Sequence, residues 1–153
     1  MMSYDDFTRF FELAGLTYMK GKRAANVVLK PIGITWDQFG TLAALQQEHG
    51  ISQHRLAAVL ETDTTTAMVI CEGLEKRGLI SRTRSPGDRR TYRLEVTDRG
   101  KKTFQRALAA MRPLTVELKS ALSQEAMRAA LPLLETAAGK AREIADRVQR
   151  RKK

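Results

Sequence analysis

The chain has 153 residues, 42% apolar and 29% charged, the composition of one soluble globular domain with a core large enough to need neither disulfides nor a structural metal. One cysteine excludes an internal disulfide, no apolar run approaches the roughly 18 residues of a membrane span, and the N-terminus lacks the layout of a signal peptide, so a cytoplasmic protein without membrane contact is expected. The 27 Lys and Arg against 17 Asp and Glu leave a net charge of +10, and that excess is local. Ser81 to Arg106 carries nine bases and three acids, and the tail Arg150, Arg151, Lys152, Lys153 accounts for the rest. A concentrated basic excess points to a polyanion-binding surface, although the tail read alone is equally a solubilising end.

In chain order, Tyr4 to Leu29 reads as a first helix carrying Phe7, Phe10, Phe11, Ala14, Leu16 and Tyr18, weakened by Gly15 and Gly21. Lys30 to Gly33 is a break. Thr35 followed by Gln38 is a capping box opening a helix with Phe39, Leu42 and Ala43 inward and Gly50 as its left-handed stop. Ser52 caps a short helix to Leu60 with Leu56, Val59 and Leu60 inward, and Glu61-Thr62 is a tight turn. Asp63 caps a second helix in which Ala67, Ile70, Cys71 and Leu74 recur on one side until Gly78. Two short helices so joined have helix-turn-helix spacing.

Two β-prone runs follow, Ile80 to Arg84 and Thr91 to Val96, with Ser85-Pro86-Gly87-Asp88 predicting a type II turn between them. A basic hairpin after a helix pair is the organisation of a winged helix-turn-helix, so the expected class is mainly α with a small β-hairpin wing. Asp98 is read as the cap of a long helix towards Leu122, kinked at Pro113. Ser123 caps a last helix with an apolar stripe from Ala126 to Val148, with Pro132 predicting another kink or break. The uncovered stripes of the first and last helices predict a symmetric dimer, against a monomer whose two ends pack on each other. The organisation is then one domain, residues 1–153, with 4–30 and 99–150 as dimerisation helices around a DNA-binding lobe, 35–97.

The stretch from Gly33 to Gly100 resembles the MarR family of multiple antibiotic resistance regulators, chiefly through LEKRGLI at Leu74–Ile80, PGDRR at Pro86–Arg90 and LEVTDRG at Leu94–Gly100. The resemblance implies a homodimeric repressor or activator on pseudo-palindromic double-stranded DNA, released by a small aromatic effector bound between the dimer helices and the DNA-binding lobe. It places Thr64, Thr65, Thr66 and Met68 of the recognition helix against base edges and phosphates. Arg90 matches the family arginine of the minor groove, Asp88 the acid that holds the tip arginines, and Arg84 and Arg89 are expected on phosphates, with Arg55 as a further phosphate contact. Met68 and Val69 stand where many relatives carry arginine or another polar residue, which predicts weak guanine readout and more reliance on groove shape.

Phe11, Tyr18 and Phe39 are candidates to line an effector pocket, although aromatic residues at helical spacing are more often core. His49, His54 and Cys71 do not make a metal site, because zinc needs three or four ligands in close array, and Cys71 on the inward stripe reads as packing. There is no nucleophile-base pair, phosphate-binding glycine loop or carboxylate pair, so neither an enzyme nor a cofactor is expected. The alternatives are an architectural DNA-binding protein with little sequence preference and no effector, and a dimeric interaction protein, which would lack the wing charge.

Overall fold

A computed structural model of the protein describes residues 4–85 and 88–150, apart from the side chains of Tyr4, Ser85, Asp88, Arg89, Arg90, Thr91 and Gln149. It is mostly helical, with a small antiparallel sheet. Helix α1 (Tyr4–Leu29) runs unbroken through Gly15 and Gly21, and only its last turns reach the core, through Ala25 and Leu29. A single 3-10 turn, Lys30–Ile32, leads to α2 (Trp36–Gln47). The capping box is formed as expected: Thr35 Oγ1 accepts from Gln38 N at 3.2 Å, and Gln38 Oε1 accepts from Thr35 N at 3.1 Å. Asn26 Oδ1 accepts from Trp36 N at 2.7 Å and Lys22 pairs with Asp37 at 2.8 Å, tying α1 to the first turn of α2. The end of α2 differs from expectation. Glu48 caps it in an extended conformation, and the left-handed Gly50 (φ 63°) serves the turn that follows.

That turn enters β1 (Ile51–Ser52), then α3 (Gln53–Val59), capped by Ser52 Oγ accepting from Arg55 N at 3.1 Å. Leu56 and Ala57 are the buried residues of α3, and Val59, expected inward, lies at the surface. Two residues beyond Ala57 is about 200° round a helix, so a face centred on Leu56 and Ala57 turns Val59 outward. Glu61 (φ 51°) makes the sharp turn into α4 (Thr64–Lys76), where Asp63 Oδ1 accepts from Thr66 N at 2.8 Å and Asp63 Oδ2 from Thr66 Oγ1 at 2.6 Å. These bonds hold the Asp63 carboxyl below its ordinary pKa.

Strands β2 (Ile80–Ser85) and β3 (Asp88–Val96) form the hairpin, and β1 adds a third strand in the order β1-β3-β2. A two-residue strand is too short for alternation to reveal it. Leu94 sits between Ile51 and Arg82 and is fully buried. Pro86 and Gly87, the middle of the predicted type II turn, lie outside the described residues. Helix α5 (Asp98–Ser120) is capped by Thr97 rather than by Asp98. Thr97 Oγ1 accepts from Gly100 N at 3.0 Å and donates to Gly78 O at 2.7 Å, so one hydroxyl starts α5 and fastens it to the end of α4. Helix α6 (Gln124–Arg150) is capped by Ser123 as expected and continues through Pro132 without the break considered above.

The chain's contacts gather into two units, Met1–Arg112 and Pro113–Lys153. The core of the first unites Leu29, Leu42, Leu45, Leu56, Leu74 and Leu94, with Phe39 and Phe104 stacked at 5.1 Å against it. In the second, Met127, Ala130 and Ala137 of α6 are half-buried, while Leu133, Ile144 and Val148 of the expected stripe are exposed.

Gly100 is required by close approach: a Cβ there would collide with the Leu79 carbonyl oxygen and come within 2.7 Å of Val96 Cγ1. Gly100→Ala is therefore expected to cost about 2–3 kcal/mol in urea unfolding; an unchanged midpoint would contradict this packing. The depressed Asp63 pKa gives a pH signature. Its stabilisation is complete above the unfolded value of about 3.9 and is lost as pH falls through the lower folded value. Asp63→Asn, which keeps a capping oxygen without the charge, should flatten the acid limb of thermal stability, and an acid limb identical to that of the parent protein would exclude the carboxylate cap.

Candidate nucleic-acid interface

The candidate site is built on the two sides of α4. Ala67, Cys71 and Leu74 are fully buried, and Ile70 is half-buried. The other side carries Thr64, Thr65, Thr66, Met68 and Val69, all exposed, with Met68 40% and Val69 60% accessible. This is the face on which the sequence placed its recognition residues. Thr66 differs from its neighbours, because its hydroxyl proton is committed to Asp63 and only an acceptor lone pair is left for another group. Cys71 is an inward packing residue, and burial pushes its thiol up to about 11, leaving it protonated at neutral pH.

The hairpin brings Arg84 to an exposed position on β2, opposite Tyr92 on β3, with Arg93 exposed one residue further on. The side chains of Asp88, Arg89 and Arg90 lie outside the described residues, although their backbone continues β3. Arg82, counted in the sequence only as part of the wing charge, has another role. Its side chain is 15% exposed, with Nε 2.9 Å from Glu75 Oε2 of α4. That approach is an ion pair without hydrogen-bond alignment, since Nε and Nη2 are buried and make no aligned bond among the described residues. The alternation Ile80, Arg82, Arg84 along β2 was the available signal that Arg82 shares a face with a core residue.

Arg55 projects from α3 but is held in a fork by Glu48, with Nε to Oε2 at 3.1 Å and Nη2 to Oε1 at 2.8 Å. The pairing draws the Glu48 carboxyl down and the Arg55 guanidinium up from their ordinary values. The fork uses two of the five guanidinium N–H groups, so a phosphate could reach the others while sharing Arg55 with the Glu48 carboxylate.

The three aromatic candidates fall in different settings. Phe39 is half-buried between Trp36 and Phe104, Phe11 touches Phe7 and Phe10 on exposed turns of α1, and Tyr18 lies beside Lys22 and Met19 in an open surface groove. His49 and His54 are exposed, and the described residues hold no cluster of three His, Cys, Asp or Glu side chains. Among the described residues, no helix is long and apolar enough to cross a membrane.

Comparisons with known proteins agree with this architecture. Residues 32–91 match a family profile described as the MarR family. The transcriptional repressor MprA of Escherichia coli is 36% identical over 100 residues, which cover 64% of this chain and 57% of that protein. The chain thus spans little more than half the length of the curated relatives it matches. Among solved structures, the transcriptional repressor CouR bound to a 23-mer DNA duplex superposes with a TM-score of 0.77 at 29% identity, covering 82% of this chain and 89% of that one. A MarR transcriptional regulator from Methanosarcina mazei gives 0.78 at 26% identity, covering 90% and 99%. These relatives are named as transcriptional regulators rather than enzymes. The matched segment takes in the helix pair and β2 and ends inside β3, and over it the chain is similar to regulators of the MarR family.

Proposed function

We propose that the protein is a DNA-binding transcriptional regulator of the MarR type, a homodimeric repressor that grips a pseudo-palindromic operator and is released by a small aromatic effector. The observation that carries this reading is the two-sided α4, whose buried stripe fixes a threonine-tipped outer face immediately before a basic hairpin. Threonine hydroxyls and methyls suit base edges and thymine methyl groups, and guanidinium groups on the wing suit phosphates and a narrow minor groove. The relatives support it by name, one as a repressor and one as a repressor on a DNA duplex.

Dimerisation is supported by apolar side chains that each unit leaves exposed, among them Phe7, Leu13 and Leu16 on α1 and Leu131, Leu133 and Ile144 on α6. Two such chains covering these residues would bury apolar area at about 25 cal/mol per Å². The effector assignment rests on the family resemblance, with Phe11 and Tyr18 as accessible aromatic side chains.

The test is a titration of the duplex upstream of the protein's own gene against a random duplex at fixed salt, with the stoichiometry measured by light scattering. Two chains per site and a clear preference for the upstream duplex are expected, and Arg90→Ala should weaken that binding by about 1–3 kcal/mol. Equal affinity for both duplexes would favour the architectural reading, to which the exposed Met68 and Val69 lend themselves. No binding at low salt would overturn both.

A further inference from the structure

The first unit contains a cleft of about 590 Å³ away from the outer face of α4, lined by Pro31, Ile32, Arg77, Leu79, Arg99, Lys102, Thr103 and Arg106. Pro31, Ile32 and Leu79 make part of the lining apolar, and four of the lining side chains are cations. No carboxylate is among the described residues that line it. The neighbouring acid, Asp98, is paired with Lys101, which does not line the cleft. Arg99, Lys102 and Arg106 are spaced i, i+3, i+7 along α5, so they share one side of that helix and span roughly 10 Å along it. Arg77 faces them from the C-cap of α4. It donates to the carbonyl oxygens of Gly33 and Ile32, which uses two of the five guanidinium N–H groups and leaves others for a ligand.

Gathering four cations around one recess without a lining acid opposes folding by like-charge repulsion, and a bound anion relieves it. The spacing selects the kind of anion. A single carboxylate can meet one or two of these groups, whereas a chain of phosphoryl groups can meet cations distributed over roughly 10 Å. The apolar lining residues Pro31, Ile32 and Leu79 suit an uncharged portion of the same molecule, and the volume is that of an ordinary small-molecule site.

We propose that this cleft is a binding site for an organic polyphosphate, held by Arg99, Lys102 and Arg106 of α5 and by Arg77 at the end of α4. The cleft shares no residue with the aromatic candidates or with the proposed DNA face, but it lies between α5 and the lobe, where the family resemblance places an effector, and to that extent the proposal rests on the regulator reading. Its occupant touches the residue that terminates α4, so it lies where a ligand could bias the recognition helix.

The test needs no DNA in its first arm. Calorimetry of the full chain with inorganic tripolyphosphate at fixed salt should give one saturable site per chain, and potassium acetate at the same concentration should give none. Arg106→Glu should weaken tripolyphosphate binding tenfold or more. Lys119→Glu, the same charge change on α5 outside the cleft, should leave it within twofold. Both positions are exposed, and thermal unfolding checks that each variant is folded; Lys102→Glu takes the place of Arg106→Glu if that variant is not. Equal weakening by Lys119→Glu would reduce the effect to general charge, and loss of random-duplex binding in Arg106→Glu but not in Lys119→Glu would make the cleft a nucleic-acid contact. Either outcome, or the lack of saturable binding, overturns the proposal, and none of them depends on whether the protein is a repressor.

Discussion

The burial of one side of α4 is the constraint on which the rest of the molecule depends. Ala67, Cys71 and Leu74 lose all contact with solvent against a core that includes Leu42, Leu45, Leu56 and Leu94. Burying Leu74 alone is worth about 1.5–3 kcal/mol, and rotating the helix about its axis would forfeit that together with the packing of Ala67 and Cys71. The identity of the outward residues then follows from helical periodicity alone. Thr64, Thr65, Met68 and Val69 face solvent because the inward positions are already taken.

Three polar contacts convert this single orientation into the placement of neighbouring elements. The Asp63 carboxylate fixes the start of α4, Arg82 and Glu75 connect its outer half to β2, and Thr97 joins its end to the first turn of α5. Gly100 lets the α5 backbone lie directly on Leu79, which no larger residue would permit. The hairpin and the helix that follows it are therefore both referenced to α4. The base of the hairpin is tied to α4 through Arg82 and Glu75.

Much of this was legible in the sequence because it depends on local rules. The capping box at Thr35 and Gln38, the caps at Ser52, Asp63 and Ser123, the stripe through Cys71 and the left-handed Gly78 all follow from residue type and spacing. Less legible were the features set by partners distant in the chain. The two residues of β1 are a strand only because β3 lies beside them, and Thr97 displaces Asp98 as the cap because its hydroxyl also reaches Gly78 O. The Glu48 fork on Arg55 and the Glu75 pair on Arg82 join residues seven positions apart in sequence and cross from one element to another, so a count of basic residues saw only their charge. The cationic cleft was similarly hidden, since Arg77 meets the α5 cations only after the hairpin has folded back.

The outward face of α4 can be observed directly through its methionine. With methyl-labelled methionine in the full chain, adding the upstream duplex should shift and broaden the Met68 methyl resonance, while that of Met127, on α6, stays in place. A duplex that binds and leaves Met68 unperturbed would contradict the assignment of this face to DNA.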